Sequence, residues 1–300
     1  MILPEMLKSG DAVGIVAPSR VIKPNQIERA EQIFSRWGLD VRKGSCLFES
    51  YGYFSGTDRQ RLDDLQHFIH DPSIRAIFCA RGGYGVTRII DQLDLGPLTE
   101  NPKWFIGFSD ITALHLALAN IGIVSVHGLM PVQFDYFDAD KSIESLRKLL
   151  FEGKGQIDAL GSALNRAGRA RAPIIGGNLS LIADSLGTAS EIDAQDKILF
   201  LEEIDEYLYK IDRMLTQLKR AGKFETLKGL VIGDFSQMKD TQIPFGQSLE
   251  EIMVDKVKEY NYPLGFGFPI GHEIPNYSIP LMSEVDFEVK GHMSQLAFAL

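Results

Sequence analysis

Short apolar runs alternate with amphipathic segments through the first half of the chain. AVGIVAPS (12–19) is an apolar run closed by a Pro turn and predicts a buried strand. NQIERAEQIFSRWG (25–38) predicts a helix stopped by Gly38. GTDRQRLDDLQHFIHDP (56–72) puts Leu62, Leu65 and Phe68 or Ile69 on one face before a Pro stop, and predicts a second helix. IRAIFCA (74–80) and WFIGF (104–108) predict buried strands, DITALHLALAN (110–120) a helix, and VSVHG (124–128) a short strand. Such alternation implies α/β architecture: a doubly wound, mostly parallel sheet covered on both faces. Ligands of such sheets sit at the C-terminal ends of the strands, where the turns 17–19, 80–85 and 107–110 fall.

The pattern changes at EGKGQIDALGSALNRAGRA (152–170), which is rich in Gly and small or polar residues. This predicts a linker between an N-terminal domain (1–151) and a smaller α/β or β-rich C-terminal domain (171–300), with the site between them. In the second domain ILFLEE (198–203) is a buried strand ending in carboxylates, Tyr207 to Arg220 a helix closed by Gly222, and LKGLVIGDF (227–235) a strand. The tail alternates on either side of Lys290-Gly291 and predicts a terminal hairpin.

Composition narrows the partners. The chain has 300 residues, 45% hydrophobic and 24% charged, enough for two buried cores. A net charge of −9 gives no broad attraction to nucleic acid or anionic membranes. Cys46 and Cys79 lack the paired spacing of a zinc or redox motif and read as reduced structural residues. The first residues lack a basic, then apolar, leader, and no apolar run reaches bilayer length, so a cytoplasmic protein is expected. No pattern calls for a metal or organic cofactor, and none is expected.

The chemistry concentrates in KWFIGFSDITALHLAL (103–118). Ser109 and Asp110 sit where a strand turns into a helix, and either one caps helices well. A serine there becomes a nucleophile only with a base in reach and a carboxylate to orient the base. Of six histidines, His67 and His70 lie on a helix, His115 reads as packing, and His292 falls in the hairpin. His127 ends a strand and is placed to line the cleft, and His272 lies in the irregular loop of FGFPIGHEIPNYSIPL. Glu202, Glu203, Asp205 and Glu206 compete for the orienting role, and periodicity does not choose among them. ARGGYG (80–85) follows a strand, opens the next helix, and offers backbone N–H groups as an anion or oxyanion nest. It lacks the spacing of a Walker motif or dinucleotide fingerprint. Arg81 is a candidate for holding a substrate carboxylate.

Taken in order, AVGIVAPS, YGYFSGTDRQRLDDL, IRAIFCARGGYGVTRII, NPKWFIGFSDITALHLAL, HGLMP, PIIGGNLSLIADSLGT, ILFLEEIDEYLYKIDRML and FGFPIGH resemble the LD-carboxypeptidases over nearly the whole chain. This serine peptidase family contains cytoplasmic muramoyltetrapeptide carboxypeptidases and microcin C immunity peptidases. The resemblance implies Ser109 as nucleophile, Glu202 as the acid and His272 as the base. It also implies an oxyanion hole from backbone N–H groups of Gly83 and Asp110. Leu-Glu-Glu replaces the common Leu-Glu-Asp, and Glu-Tyr-Leu-Tyr follows where many members carry a Pro. The implied activity is release of terminal D-alanine from a cytoplasmic murein tetrapeptide during cell-wall recycling. The alternatives are a microcin C-type immunity peptidase acting on peptidyl or aminoacyl nucleotides, and a non-catalytic binder of a sugar or peptide. The expected partner is thus a small peptide, with no nucleic acid or membrane. A homodimer is implied by the resemblance alone.

Overall fold

The computed structural model describes residues 1–291 and 293–300, so His292 lies outside the described residues. The first sheet is built from β1 (Ala12–Val16), β2 (Asp40–Lys43), β3 (Ile74–Cys79), β4 (Trp104–Gly107) and β5 (Ser125–His127). These five are parallel, in the order β5-β4-β3-β1-β2. Every residue of β1 and β4 is buried, which is why both read as continuous apolar runs. Helix α1 (Glu28–Arg36) packs Ala30, Ile33 and Phe34 on one face of the sheet. Helices α2 (Asp58–His70) and α3 (Thr112–Asn120) pack Leu65, Phe68, Leu114 and Leu118 on the other. A reciprocal cap starts α2: the Gln60 N–H donates to Thr57 Oγ1 at 3.3 Å and the Thr57 N–H to Gln60 Oε1 at 2.9 Å. Helix α4 (Asp140–Glu152) then leads to the second sheet.

Among the described residues that sheet has seven strands. They include β6 (Lys154–Leu160), β7 (Gly168–Asn178), β8 (Ile198–Ile204), β9 (Gly229–Ser236) and β10 (Leu264–Gly265). After β10 the chain crosses back as β11 (Ile279–Leu281), antiparallel to β5 at the edge of the first sheet. It then returns as β12 (Glu284–Lys290) and β13 (Met293–Ala299), giving the order β10-β9-β8-β7-β12-β13-β6. The four strands β7 to β10 are parallel, and β7, β12, β13 and β6 pair antiparallel. Helices α5 (Leu179–Ser185), α6 (Leu208–Arg220) and α7 (Leu249–Val257) cover the outer face.

Two expectations need correction. Residues 152–170 are only partly a connection, because β6 pairs with β13 from Lys154↔Ala299 to Leu160↔Met293. Ile157 and Ala159 face the core while Lys154, Gln156 and Asp158 face out, a period-two signal diluted by small residues. The ARGGYG run does not open an α-helix; it leads into the 3-10 turns Val86–Arg88 and Ile90–Gln92. Val86, Thr87, Ile89 and Ile90 are β-branched and propagate a helix poorly.

One apolar cluster joins the two sheets. It contains Phe78, Trp104 and Val126 from the first, Ile174, Phe200 and Val231 from the second, and Phe268, Ile270 and Ile279 from the crossing segment. Phe200 is fully buried in this seam, and truncating it to Ala would cost about 3–5 kcal/mol.

Candidate active site

Ser109 follows β4 and begins a single 3-10 turn, Ser109–Ile111, that runs into α3. Its φ of +62° lies in the left-handed region, a strain of about 1–3 kcal/mol for a residue with a Cβ. The neighbouring Asp110 fastens the turn. Its fully buried carboxylate accepts from Ser19 Oγ at 2.5 Å and from the Val86 N–H at 3.0 Å, tying together the loops after β1, β3 and β4. Burial pushes the Asp110 pKa up, and those two hydrogen bonds only partly oppose it. Gly82 lies so close that a Cβ there would stand 3.1 Å from Ser109 Cβ. The sharp turn thus needs the glycine run beside it.

His272 occupies the loop that leaves β10 and crosses to β11. Its Nδ1 is 2.7 Å from Glu202 Oε2, and its ring meets Phe108, the residue before Ser109, edge-on at a centroid distance of 4.9 Å. Glu202 is fully buried at the C-terminal end of β8. Burial alone would lower the His272 pKa, but Glu202 at hydrogen-bond distance, with Glu203 and Asp234 behind, more than offsets it and raises the value above the usual histidine range.

The two adjacent glutamates do different work. Glu203 Oε1 accepts from Asn178 Nδ2 at 2.8 Å and the Ile204 N–H at 3.0 Å, while Oε2 accepts from the Ser180 N–H at 2.8 Å and Ser180 Oγ at 2.6 Å. These four bonds bind β8 to the end of β7 and the start of α5. Asp205 pairs with Lys239 at 2.5 Å and Glu206 with Lys210 at 3.2 Å. Of the four carboxylates, Glu202 is the one that meets His272.

Ser109 and His272 line one cavity of about 650 Å³, together with Arg81, Gly83, Asn178 and Arg20. Arg20 was not anticipated. It closes the run AVGIVAPSR and, like Arg81 after β3, stands beyond the C-terminal end of a strand. Neither arginine has an ion-pair partner among the described residues. Burial lowers the Arg81 pKa, and the Arg20 charge lowers it further. A depression of about 910 Å³ lies elsewhere, along α4, β6 and β13, and includes none of the candidate residues.

His127 does not line the cavity, contrary to expectation. Strand β11 pairs across it, Ile279↔His127, and it is fully buried between Phe108 at 5.4 Å and Phe200 at 5.0 Å. His115 is packed, with Nδ1 2.8 Å from Ser125 Oγ and Nε2 2.9 Å from the Gly107 carbonyl. Among the described residues no cluster of three or more His, Cys, Asp or Glu is arranged to hold a metal ion. No helix there is long and apolar enough to cross a membrane.

Two α/β sheets with a cavity of polar, titratable groups between them define a two-domain α/β protein. More narrowly, residues 13–128 match the LD-carboxypeptidase N-terminal domain and residues 171–287 the LD-carboxypeptidase C-terminal domain, so the chain belongs to the LD-carboxypeptidase family. It is 35% identical over 285 residues, 93% of this chain and 89% of the other, to a Bacillus subtilis (strain 168) protein described as "Probable murein peptide carboxypeptidase". The murein tetrapeptide carboxypeptidase of Pseudomonas aeruginosa is 30% identical over 281 residues, 89% of this chain and 90% of that one. The muramoyltetrapeptide carboxypeptidase crystal structure from Oxalobacter formigenes superposes with a TM-score of 0.87 at 25% identity, over 96% of this chain and 99% of that one. The microcin C7 self immunity protein MccF in its wild-type apo state shares the fold, with a TM-score of 0.88 at 20% identity over 100% of this chain and 99% of that one.

Proposed function

We propose that this protein is a metal-independent serine carboxypeptidase that hydrolyses an L,D peptide bond, releasing the terminal D-alanine of a murein tetrapeptide in cytoplasmic cell-wall recycling. The observation that carries the reading is the 2.7 Å contact between His272 Nδ1 and Glu202, made by a histidine lining the same cavity as Ser109 on its left-handed turn. With Glu202 ionised, Nδ1–H donates to it and Nε2 is left with a lone pair for the Ser109 hydroxyl. His272 takes that proton as Ser109 Oγ bonds to the carbonyl carbon of the penultimate residue. The developing oxyanion meets backbone N–H groups of Gly83 and Asp110, at the start of a turn whose dipole favours negative charge. As the tetrahedral intermediate collapses, His272 returns the proton to the D-alanine nitrogen and the C–N bond breaks. A water molecule deprotonated by His272 then hydrolyses the ester and regenerates Ser109.

Exopeptidase specificity requires a receptor for the free terminal carboxylate. Arg81, with Arg20 beside it and no acid among the described residues paired with either, supports that assignment. The names of the relatives favour murein peptides as the substrate class.

The test is mass spectrometry of L-Ala-γ-D-Glu-meso-diaminopimelyl-D-Ala incubated with the protein or with Ser109→Ala, EDTA being present in both. Loss of one alanine with the intact protein alone is the expected result. Equal cleavage by both sinks Ser109 as nucleophile. Cleavage of an aminoacyl sulfamoyl adenosine in place of the tetrapeptide would transfer the chemistry to an immunity-type substrate.

A further inference from the structure

Strands β8 and β9 pair Leu201 with Ile232 but Glu203 with Phe235, so β9 carries one extra residue opposite Glu202. The extra residue is a bulge, and bulges beside active sites re-aim side chains. Here it presents Gly233 and Asp234 to the His272 loop. The Asp234 N–H donates to the Ile270 carbonyl at 2.9 Å, and Asp234 Oδ2 accepts from the Glu273 N–H at 3.2 Å. One residue therefore grips the loop on both sides of His272. Between those two bonds Gly271, at φ +147°, is wedged against two acids: a Cβ there would lie 2.9 Å from Asp234 Cβ and 3.3 Å from Glu202 Cβ. Asn276 Oδ1 adds a third hold, accepting from the Gly271 N–H at 3.1 Å.

A backbone carbonyl or an amide would hold the loop equally well, yet the group used is a carboxylate. Burial, together with the neighbouring Glu202 and Glu273, pushes the Asp234 pKa up to about 6. A charge that is costly to keep beside two other acids suggests a use for it. The groups facing His272 are Glu202, Glu203 and Asp234, with buried His127 behind the Phe108 ring. All three acids favour the imidazolium.

We infer that Asp234 is a positioning residue of the reaction, clamping the His272 loop through the β9 bulge and adding a further negative charge that favours the imidazolium formed when Ser109 gives up its proton. This inference rests on the reading of His272 as the base.

The experiment compares kcat/KM against pH for the protein, Asp234→Asn, Asp234→Ala and His272→Ala on the tetrapeptide, with thermal midpoints of each. Asp234→Asn keeps an acceptor for the Glu273 N–H and loses the charge. Its acid limb should move to lower pH by about half to one unit, with a plateau reduced about 3-fold. Asp234→Ala loses the clamp as well, and its plateau should fall about 10²-fold, mainly in kcat. An Asp234→Asn profile that superimposes on the parent overturns the electrostatic part, and a folded Asp234→Ala with parental kcat overturns the clamp. If Asp234→Ala does not fold, Asp234→Ser, too short to reach the Glu273 N–H, replaces it as the test of the clamp, and the Asp234→Asn profile still decides the electrostatic part. Retained activity in His272→Ala would instead remove the base assignment. Inactivity there with parental Asp234 variants would remove only the present inference.

Discussion

The C-terminal edges of the two sheets face each other across the cavity, and they are built for opposite charges. The edge of the first sheet carries Arg20, Arg81, the glycine run and the start of α3. That of the second carries Asn178, Glu202, Glu203 and Asp234. In the proposed reaction an oxyanion forms on the first side and an imidazolium on the second, so each edge is complementary to the charge that appears beside it. The two edges are also held differently. The Ser109 turn sits between β4 and α3, tied by Asp110 to the loops after β1 and β3 and pressed by the close approach of Gly82. The His272 loop has no regular structure of its own and depends on contacts from β8, β9 and Asn276.

The largest effect should come from breaking the first edge at its centre. Ser109→Ala removes the proposed nucleophile and should lower kcat by about 10³-fold or more, measured by alanine release in single-turnover assays. Next, the adjacent glutamates should separate catalysis from stability. Glu202→Gln should cost about 10²–10³-fold in kcat with a near-parental thermal midpoint, because the amide no longer supports the imidazolium. Glu203→Gln should keep most of its kcat but lose about 1–3 kcal/mol of stability in denaturant titration, since a carboxylate accepting four bonds is replaced by a group with one acceptor oxygen. If the two variants behaved alike, the division of labour would be wrong.

A smaller effect tests the cationic wall. Arg81→Gln and Arg20→Gln should each raise KM for the free-acid tetrapeptide about 10-fold, a loss of about 1.4 kcal/mol, and leave a C-terminal amide substrate almost unaffected. Equal losses on both substrates would assign the arginines elsewhere. The smallest is a matter of position on the pH axis. His272 is raised above the usual histidine range by its acids, and only its neutral form accepts the Ser109 proton. Activity should therefore fall as pH drops through a value above about 6.5, and Glu202→Gln should move that limb downwards.

Much of the first sheet was legible because β1, β3, β4 and β5 are buried almost throughout and bounded by turns, so local pattern and tertiary role coincide; the edge strand β2, mostly exposed, carries no such apolar run. Strand β6 was hidden, its alternation carried by only Ile157 and Ala159. The turns after Gly85 were misread for a related reason: β-branched residues at helical spacing fill a buried surface without propagating a helix. In the site, Ser109 and Asp110 stand out because a strand-to-helix junction is a local feature. Arg20 and Asp234 do not, being one residue of a turn and one of a strand that acquire meaning only beside their neighbours. His127 was the converse, a polar residue at a strand end that is nonetheless fully buried, flanked by β11 in the sheet and by the rings of Phe108 and Phe200.

The sequence by itself determined the α/β alternation, the strand-to-helix junction that holds Ser109, and membership of a peptidase family through blocks spread along the chain. Periodicity left open which of four neighbouring carboxylates meets His272, and only the family resemblance pointed to Glu202; the contact itself, and the residues that hold the loop, are set by the tertiary structure. Side-chain direction at a strand end depends on register, and the register here is shifted by one residue between β8 and β9. Residues 202, 234 and 272 converge because three chain segments cross the same seam, and periodicity along one segment carries no information about the other two.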